Sequence, residues 1–186
     1  MKQIKFKSGN TIEINEWELS GYTGLTQLLT IPSINDKATL IRAIKSKLNE
    51  TKAIKYAADK LKQLNISDIN VSSNYFDSID CNAVSANTEN IAIEFKYRRF
   101  NHSKYPTFLI DAYKCRQLLD YTNSNHVRTF ICNIYSDGVV TLFEFSKHYR
   151  EYKGVEVDSF PKDSYSGEKI RKKVIKYSLN DAILIN

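Results

Sequence analysis

The sequence predicts an α/β (α+β) fold with a mixed central β-sheet flanked by helices, and three observations predict it. Apolar residues recur at helical spacing over Leu40, Ile41, Ile44 and Leu48, and again over Ile54, Ala57, Ala58, Leu61 and Leu64. Strand-like runs then alternate with a second helical stretch, giving helix, three strands, helix, two strands. The composition, 42% apolar with only six Gly and three Pro, is that of a chain that buries a core, not of a disordered or low-complexity one. At 186 residues one domain over 1–186 is expected. Its core covers about 36–145, with a β-hairpin before it and an extension after it.

Ile4-Lys5-Phe6-Lys7 and Thr11-Ile12-Glu13-Ile14 alternate around Ser8-Gly9-Asn10, a hairpin signature. Ser20 to Ser33 reads as loop, with Gly21, Gly24 and Pro32. Asp36 is suited to cap the first long helix. Its two apolar sets differ in phase by about a third of a turn, which predicts a bend or break near Asn49-Glu50-Thr51. Strands follow at Ile69-Asn70-Val71, at Ser78 to Val84 and at Asn90 to Arg99, the last two joined by a polar turn. Asp111 can cap a helix reaching about Asn123, with Ala112, Cys115, Leu119 and Thr122 on its apolar face and Leu118 at the margin. Val127–Tyr135 and Val139–Phe145 form a hairpin around Asp137-Gly138. Glu151 to Gly167 reads as a surface loop, and Val174–Tyr177 as a returning strand.

The informative stretch is Ile91-Ala92-Ile93-Glu94-Phe95-Lys96. Glu94 and Lys96 stand two residues apart on an apolar strand, so both emerge on one face. Burying such a pair costs free energy unless each charge has a partner. A turn centred near Asn87 sets Asp80 opposite Glu94 and Ser78 opposite Lys96, with opposed Cβ atoms about 4.5–5.5 Å apart. Asp77 is the rival if the turn is centred two residues earlier. Two carboxylates this close repel unless a cation lies between them. Mg²⁺ (or Mn²⁺) suits that place, because it is held by one or two carboxylates and keeps waters for a substrate phosphate.

Asp80, then Cys81-Asn82-Ala83-Val84, then Ile91 to Lys96 with its Glu-x-Lys, resembles the PD-(D/E)xK nuclease superfamily, the restriction-endonuclease-like fold. The resemblance covers roughly Asp36 to Phe145, and Tyr105 to Asp111 is similar to small phage-encoded members. It departs from the family pattern at Ile79, which stands where a Pro is usual. It implies a Mg-dependent deoxyribonuclease in which Asp80 and Glu94 bind the metal, the Phe95 carbonyl adds a ligand, and Lys96 assists the attacking water. An acid from the first helix, found in some relatives, has only Glu50 and Asp59 as candidates. Gln117 and Tyr121 are similar to the Gln-x-x-x-Tyr of the RecB-like branch, where the two residues lie beside the site and the DNA, and Lys114 on the same strip of helix is suited to serve as an additional active-site or phosphate-binding cation. The implied partner is DNA; a homodimer is compatible with cutting both strands, although no interface is legible. The implied setting is cytoplasmic, that of a bacterial host if phage-encoded.

The net charge of +6 agrees with a polyanionic partner. Arg98, Arg99 and Lys104 follow the Glu-x-Lys strand among Phe100, Tyr105 and Phe108, a pattern suited to phosphates and unpaired bases. Lys169, Arg171, Lys172, Lys173 and Lys176 form a second basic cluster. Other chemistries lack their residues. His102, His126 and His148 are isolated from any zinc spacing, and no Gly-rich phosphate loop or Gly-x-Ser-x-Gly elbow occurs. Cys81, Cys115 and Cys132 are widely separated and read as reduced core thiols. No signal peptide and no run of 18 apolar residues is found.

Overall fold

The fold is a mixed α+β architecture, described by a computed structural model over residues 1–72, 77, 79–149, 155–161 and 169–185. Two compact units are present: residues 1–52 with 158–171, and residues 53–157 with 172–186. No described helix is long and apolar enough to cross a membrane.

The first unit opens with the expected hairpin. Strands β1 (Lys2–Lys5) and β2 (Thr11–Ile14) pair antiparallel, Lys2 facing Ile14, and bury Ile4, Phe6 and Ile14. Gly9 at the turn adopts φ +92°, a conformation that costs only glycine nothing. A short helix α1 (Leu25–Leu28) lies in the stretch read as loop. Helix α2 (Lys37–Leu61) begins at Asp36, whose Oδ1 accepts the Thr39 N–H at 2.8 Å.

Helix α2 runs without the break expected near Asn49-Glu50-Thr51. The phase shift has another cause. Leu40, Ala43 and Ile44 are buried within the first unit, whereas Ala57 and Leu61 join a core cluster of the second. A continuous helix whose two parts belong to different compact units can turn its apolar stripe along its length, and the sequence pattern of a bend is the same.

The second unit is built on a six-stranded sheet of order β11-β8-β7-β5-β4-β3. Its strands are β3 (Ser67–Val71), β4 (Cys81–Val84), β5 (Asn90–Arg98), β7 (Arg128–Tyr135), β8 (Val140–Glu144) and β11 (Ile183–Ile185). Strand β6 (Thr107–Asp111) and strands β9 (Val155–Pro161) and β10 (Lys169–Ser178) form a separate sheet of order β6-β10-β9. The remaining helices are α3 (Ala112–Asn125) and α4 (Phe145–His148). β5 pairs antiparallel with β4 and parallel with β7. The parallel pair needs a crossover, and the segment through β6 and α3 supplies it.

Two cores cover the sheet. Ile91, Ile93 and Phe95 of β5 pack with Cys81, Ala83, Cys132, Ala57 and Leu61. Ala92 of β5 packs on the other face with Cys115 and Leu118 of α3, Phe108 and Ile110 of β6, and Ile175 and Tyr177 of β10. The α3 stripe therefore centres on Cys115 and Leu118, with Ala112 and Leu119 at its borders. Neither β6 nor β11 was expected. The stretch read as a loop from Glu151 contains β9, and its residues 151–154 and 162–167 lie outside the described residues.

Candidate active site

The β4–β5 hairpin positions the acids. Cys81 faces Ile93 and Val84 faces Asn90, the register that a turn centred near Asn87 requires. The turn closes through Thr88 N–H to the Ser85 carbonyl (2.9 Å) and Ser85 N–H to the Glu89 carbonyl (2.9 Å). Asp80 lies one residue before the ladder. Its Oδ2 accepts the Phe95 N–H at 2.8 Å, which ties it across to the strand carrying Glu94. Asp77 is exposed and accepts the Ser72 hydroxyl. Ser78, expected opposite Lys96, lies outside the described residues.

Alternation along β5 sends Glu94 and Lys96 to the α3 side, with Ala92. Glu94 is only 1% exposed. Its Oε1 accepts from Lys96 Nζ, and its Oε2 lies 2.8 Å from Lys114 Nζ on α3. Asp111 sets the start of α3, its Oδ1 accepting the Tyr113 N–H at 2.9 Å and its Oδ2 meeting Lys172 Nζ at 2.9 Å. Further along α3, the Tyr121 hydroxyl donates to Asn82 Oδ1 at 3.1 Å, with Gln117 half-buried between. Asp80, Glu94, Lys96 and Lys114 thus converge, and Gln117 and Tyr121 line the same helix.

The electrostatics follow from burial and pairing. Burial, joined by the Glu94 charge, pushes the Asp80 carboxyl up to about 7, against the pull of Lys96, the Phe95 amide and Lys114. Burial works to raise Glu94 as well, but Lys96 and Lys114 outweigh it and hold that carboxyl below its ordinary value. Burial works to lower Lys96, and Glu94 and Asp80 outweigh it, so its pKa rises. Lys96 is therefore held as an ammonium, suited to stabilise charge and orient water, not to take a proton.

The donor set fits a divalent metal. A carboxyl kept half-protonated near neutral pH beside an ionised one is a pair whose proton a cation can replace. Asp80, Glu94 and the Phe95 carbonyl would hold such an ion. Among the described residues no group of three His, Cys, Asp or Glu side chains gathers, so the carboxylate pair is the whole acidic set. Glu50 instead pairs with Lys47, and Asp59 with Lys62, each on its own helical turn.

Arg98, expected on DNA, is turned inward. Its Nε donates to Asn133 Oδ1 (2.9 Å), its Nη2 to the Leu109 carbonyl (3.2 Å), and burial lowers its pKa to about 10. Arg99 and Lys104 are exposed, and the Lys104 ammonium lies 5.4 Å from the Tyr105 ring. Two participants escaped sequence reading. Asn82 shares the Asp80 face at two-residue spacing, a signal present in the sequence. Asn133, fully buried and paired in register with Lys96, is visible only once β5 and β7 are known to be parallel.

No family model and no curated protein matches the chain. Among solved structures it is similar to Hjc, a Holliday junction resolvase from the archaeal hyperthermophile Archaeoglobus fulgidus. The identity is 14% and the TM-score 0.43, over 69% of this chain and 85% of that chain. A likeness at that level carries no weight for the site, which rests on its own geometry.

Proposed function

We propose that the protein is a metal-dependent nuclease that hydrolyses DNA phosphodiesters, as the PD-(D/E)xK resemblance implies. One observation carries the reading: Asp80 and Glu94 stand at one end of a hairpin with two ammonium groups, Lys96 and Lys114, beside them. Nothing in a stable core requires a buried acid gathered with a second acid and two partly buried lysines, since an apolar cluster of similar volume would serve at least as well.

Bound between Asp80 and Glu94, a divalent ion would polarise a phosphoryl oxygen and lower the pKa of a water. The chain's own groups do the rest. Asp80 would hold that ion once its proton is lost, and the Phe95 N–H keeps its Oδ2 in place. Lys96, held as an ammonium, orients the attacking water and offsets charge building on the phosphoryl oxygens. The water oxygen bonds to phosphorus as it loses a proton to solvent, the bond to the leaving oxygen breaks, and the leaving oxygen takes up a proton from solvent to depart as the alcohol. The exposed Arg99 and Lys104 contact the DNA backbone, with Tyr105 offering a ring to an unpaired base.

One observation favours a second reading, DNA binding without cleavage: both Glu94 oxygens already meet ammonium groups, so the cluster is charge-satisfied without a metal. Incubation with Mg²⁺ or Mn²⁺ on supercoiled, linear, single-stranded and branched DNA separates the two. Cleavage by the wild type that is lost in Lys96→Ala supports the nuclease. Salt-sensitive DNA binding with no cleavage supports the second reading, and a Lys96→Ala protein cutting as fast as wild type sinks the first.

A further inference from the structure

The Glu94 carboxylate is gripped from two sides, and its second partner has no role in the chemistry above. Lys114 sits in the first turn of α3, and its Nζ lies 2.8 Å from Glu94 Oε2. Its side chain is 18% exposed, so the ammonium is a built part of the cluster and not a surface charge that drifts past it. The helix start that presents it is fixed twice over, through Tyr113 N–H and Lys172 on the two oxygens of Asp111.

We infer that Lys114 takes the place of a second metal ion. The site holds one divalent cation per chain, and Lys114 leaves Glu94 Oε2 when that cation binds, to hold a non-bridging oxygen of the scissile phosphodiester. The inference rests on the nuclease reading and deepens it.

Charge decides between one ion and two. With Asp80 and Glu94 ionised, their two negative charges balance the two positive charges of Lys96 and Lys114. One divalent cation then leaves the cluster with two positive charges, matched to the two negative charges on phosphorus during hydrolysis. A second cation would leave four. Two-metal sites hold their ions about 3.5–4 Å apart and need acids to bridge them, and no third acid joins the pair among the described residues. Two ammonium groups in contact with Glu94 would also repel a second ion at short range, where Coulomb terms are large. A lysine is the cheaper second cation because it arrives with the fold.

The same geometry makes Lys114 a competitor for the first ion. Removing its charge leaves Glu94 paired to Lys96 alone, with one oxygen fully available. Mn²⁺ titration of the metal-free full chain by calorimetry, without DNA, reads stoichiometry and affinity, and DNA cleavage reads turnover. Expected are one Mn²⁺ per wild-type chain, about tenfold tighter Mn²⁺ binding in Lys114→Met as the competing charge goes, and cleavage slower by about a hundredfold or more. Lys114→Gln should bind Mn²⁺ more tightly as well, with circular dichroism confirming that both variants fold, and Lys114→Arg should recover part of the cleavage. Two Mn²⁺ per wild-type chain, unchanged or weaker Mn²⁺ affinity in both neutral variants, or wild-type cleavage by both, overturns the inference. A wild type that binds no Mn²⁺ and cuts nothing overturns the nuclease reading instead.

Discussion

Asp80→Asn should make the metal-free protein more stable above neutral pH while abolishing cleavage. The Asp80 carboxyl moves from an ordinary 3.8 to about 7 on folding, chiefly through burial and the Glu94 charge. Keeping it ionised in the folded state costs about 1.4 kcal/mol for each pKa unit, so about 4 kcal/mol at most. Partial exposure of the side chain lowers the expected figure to about 2–4 kcal/mol. The amide removes that cost and keeps an oxygen to accept the Phe95 N–H.

The sign fixes the pH window. A carboxyl with a raised folded pKa binds its proton more tightly folded than unfolded, so stability falls as pH rises from about 4 to about 7. Below that window wild type and Asp80→Asn should be equally stable, and above it the gap is full. Glu94 acts oppositely and elsewhere: its lowered pKa gives stability that is lost only as pH falls below its ordinary 4.5. Urea unfolding in EDTA at several pH values between 4 and 8 measures the gap. Circular dichroism is the signal to follow, because the sole tryptophan, Trp17, lies in the other compact unit. Mn²⁺ at a hundredfold over its dissociation constant should then add about 2.7 kcal/mol to wild type and nothing to Asp80→Asn. A gap that does not grow with pH, or an Asp80→Asn protein less stable than wild type at pH 8, refutes the reasoning.

Asp77→Asn should leave cleavage and Mn²⁺ affinity unchanged, since Asp77 is exposed and meets Ser72; loss of cleavage there would make it the ligand in place of Asp80. Arg98→Met strands the buried Asn133 Oδ1 and the Leu109 carbonyl, and should cost about 1–3 kcal/mol in denaturant unfolding. The slope of DNA affinity against salt should not change in that variant, because an inward guanidinium releases no counterions. Thr88 holds φ 62° in the β4–β5 turn, a strained place for a β-branched residue. Thr88→Asn should stabilise by about 1 kcal/mol, read as a raised melting temperature.

What the sequence made legible was local. The Asp80–Glu94 register needs only a turn position and alternation, both present within about fifteen residues of chain, and the strands pair as that arithmetic requires. The strip Lys114, Gln117, Tyr121 was legible as a helix face, but which strand it faces was not. That depends on β5 and β7 being parallel with α3 crossing between them. Arg98 shows the limit most plainly: an arginine two residues beyond Lys96 looks the same in sequence whether it points at DNA or at a buried asparagine. β6 and β11 were missed because each is short and pairs with a strand far along the chain, β10 and β8 respectively. The break expected in α2 does not occur; the helix is continuous, and the shift in its apolar pattern falls near the boundary between the two compact units.

Asp80 is held near the point of losing its proton, and Glu94 is held by two ammonium groups. Each arrangement meets a buried carboxylate's need for a positive partner with something that can leave: a proton from one acid, an amine from the other. A site selected only for stability would use partners that stay, as Arg128 of β7 does with Glu144 of β8, gripping both its oxygens at 2.9 and 2.8 Å in the same sheet. The contrast within one sheet sets an ion pair that fastens two strands beside a cluster that, on the proposed nuclease reading, exchanges its cations for metal and substrate.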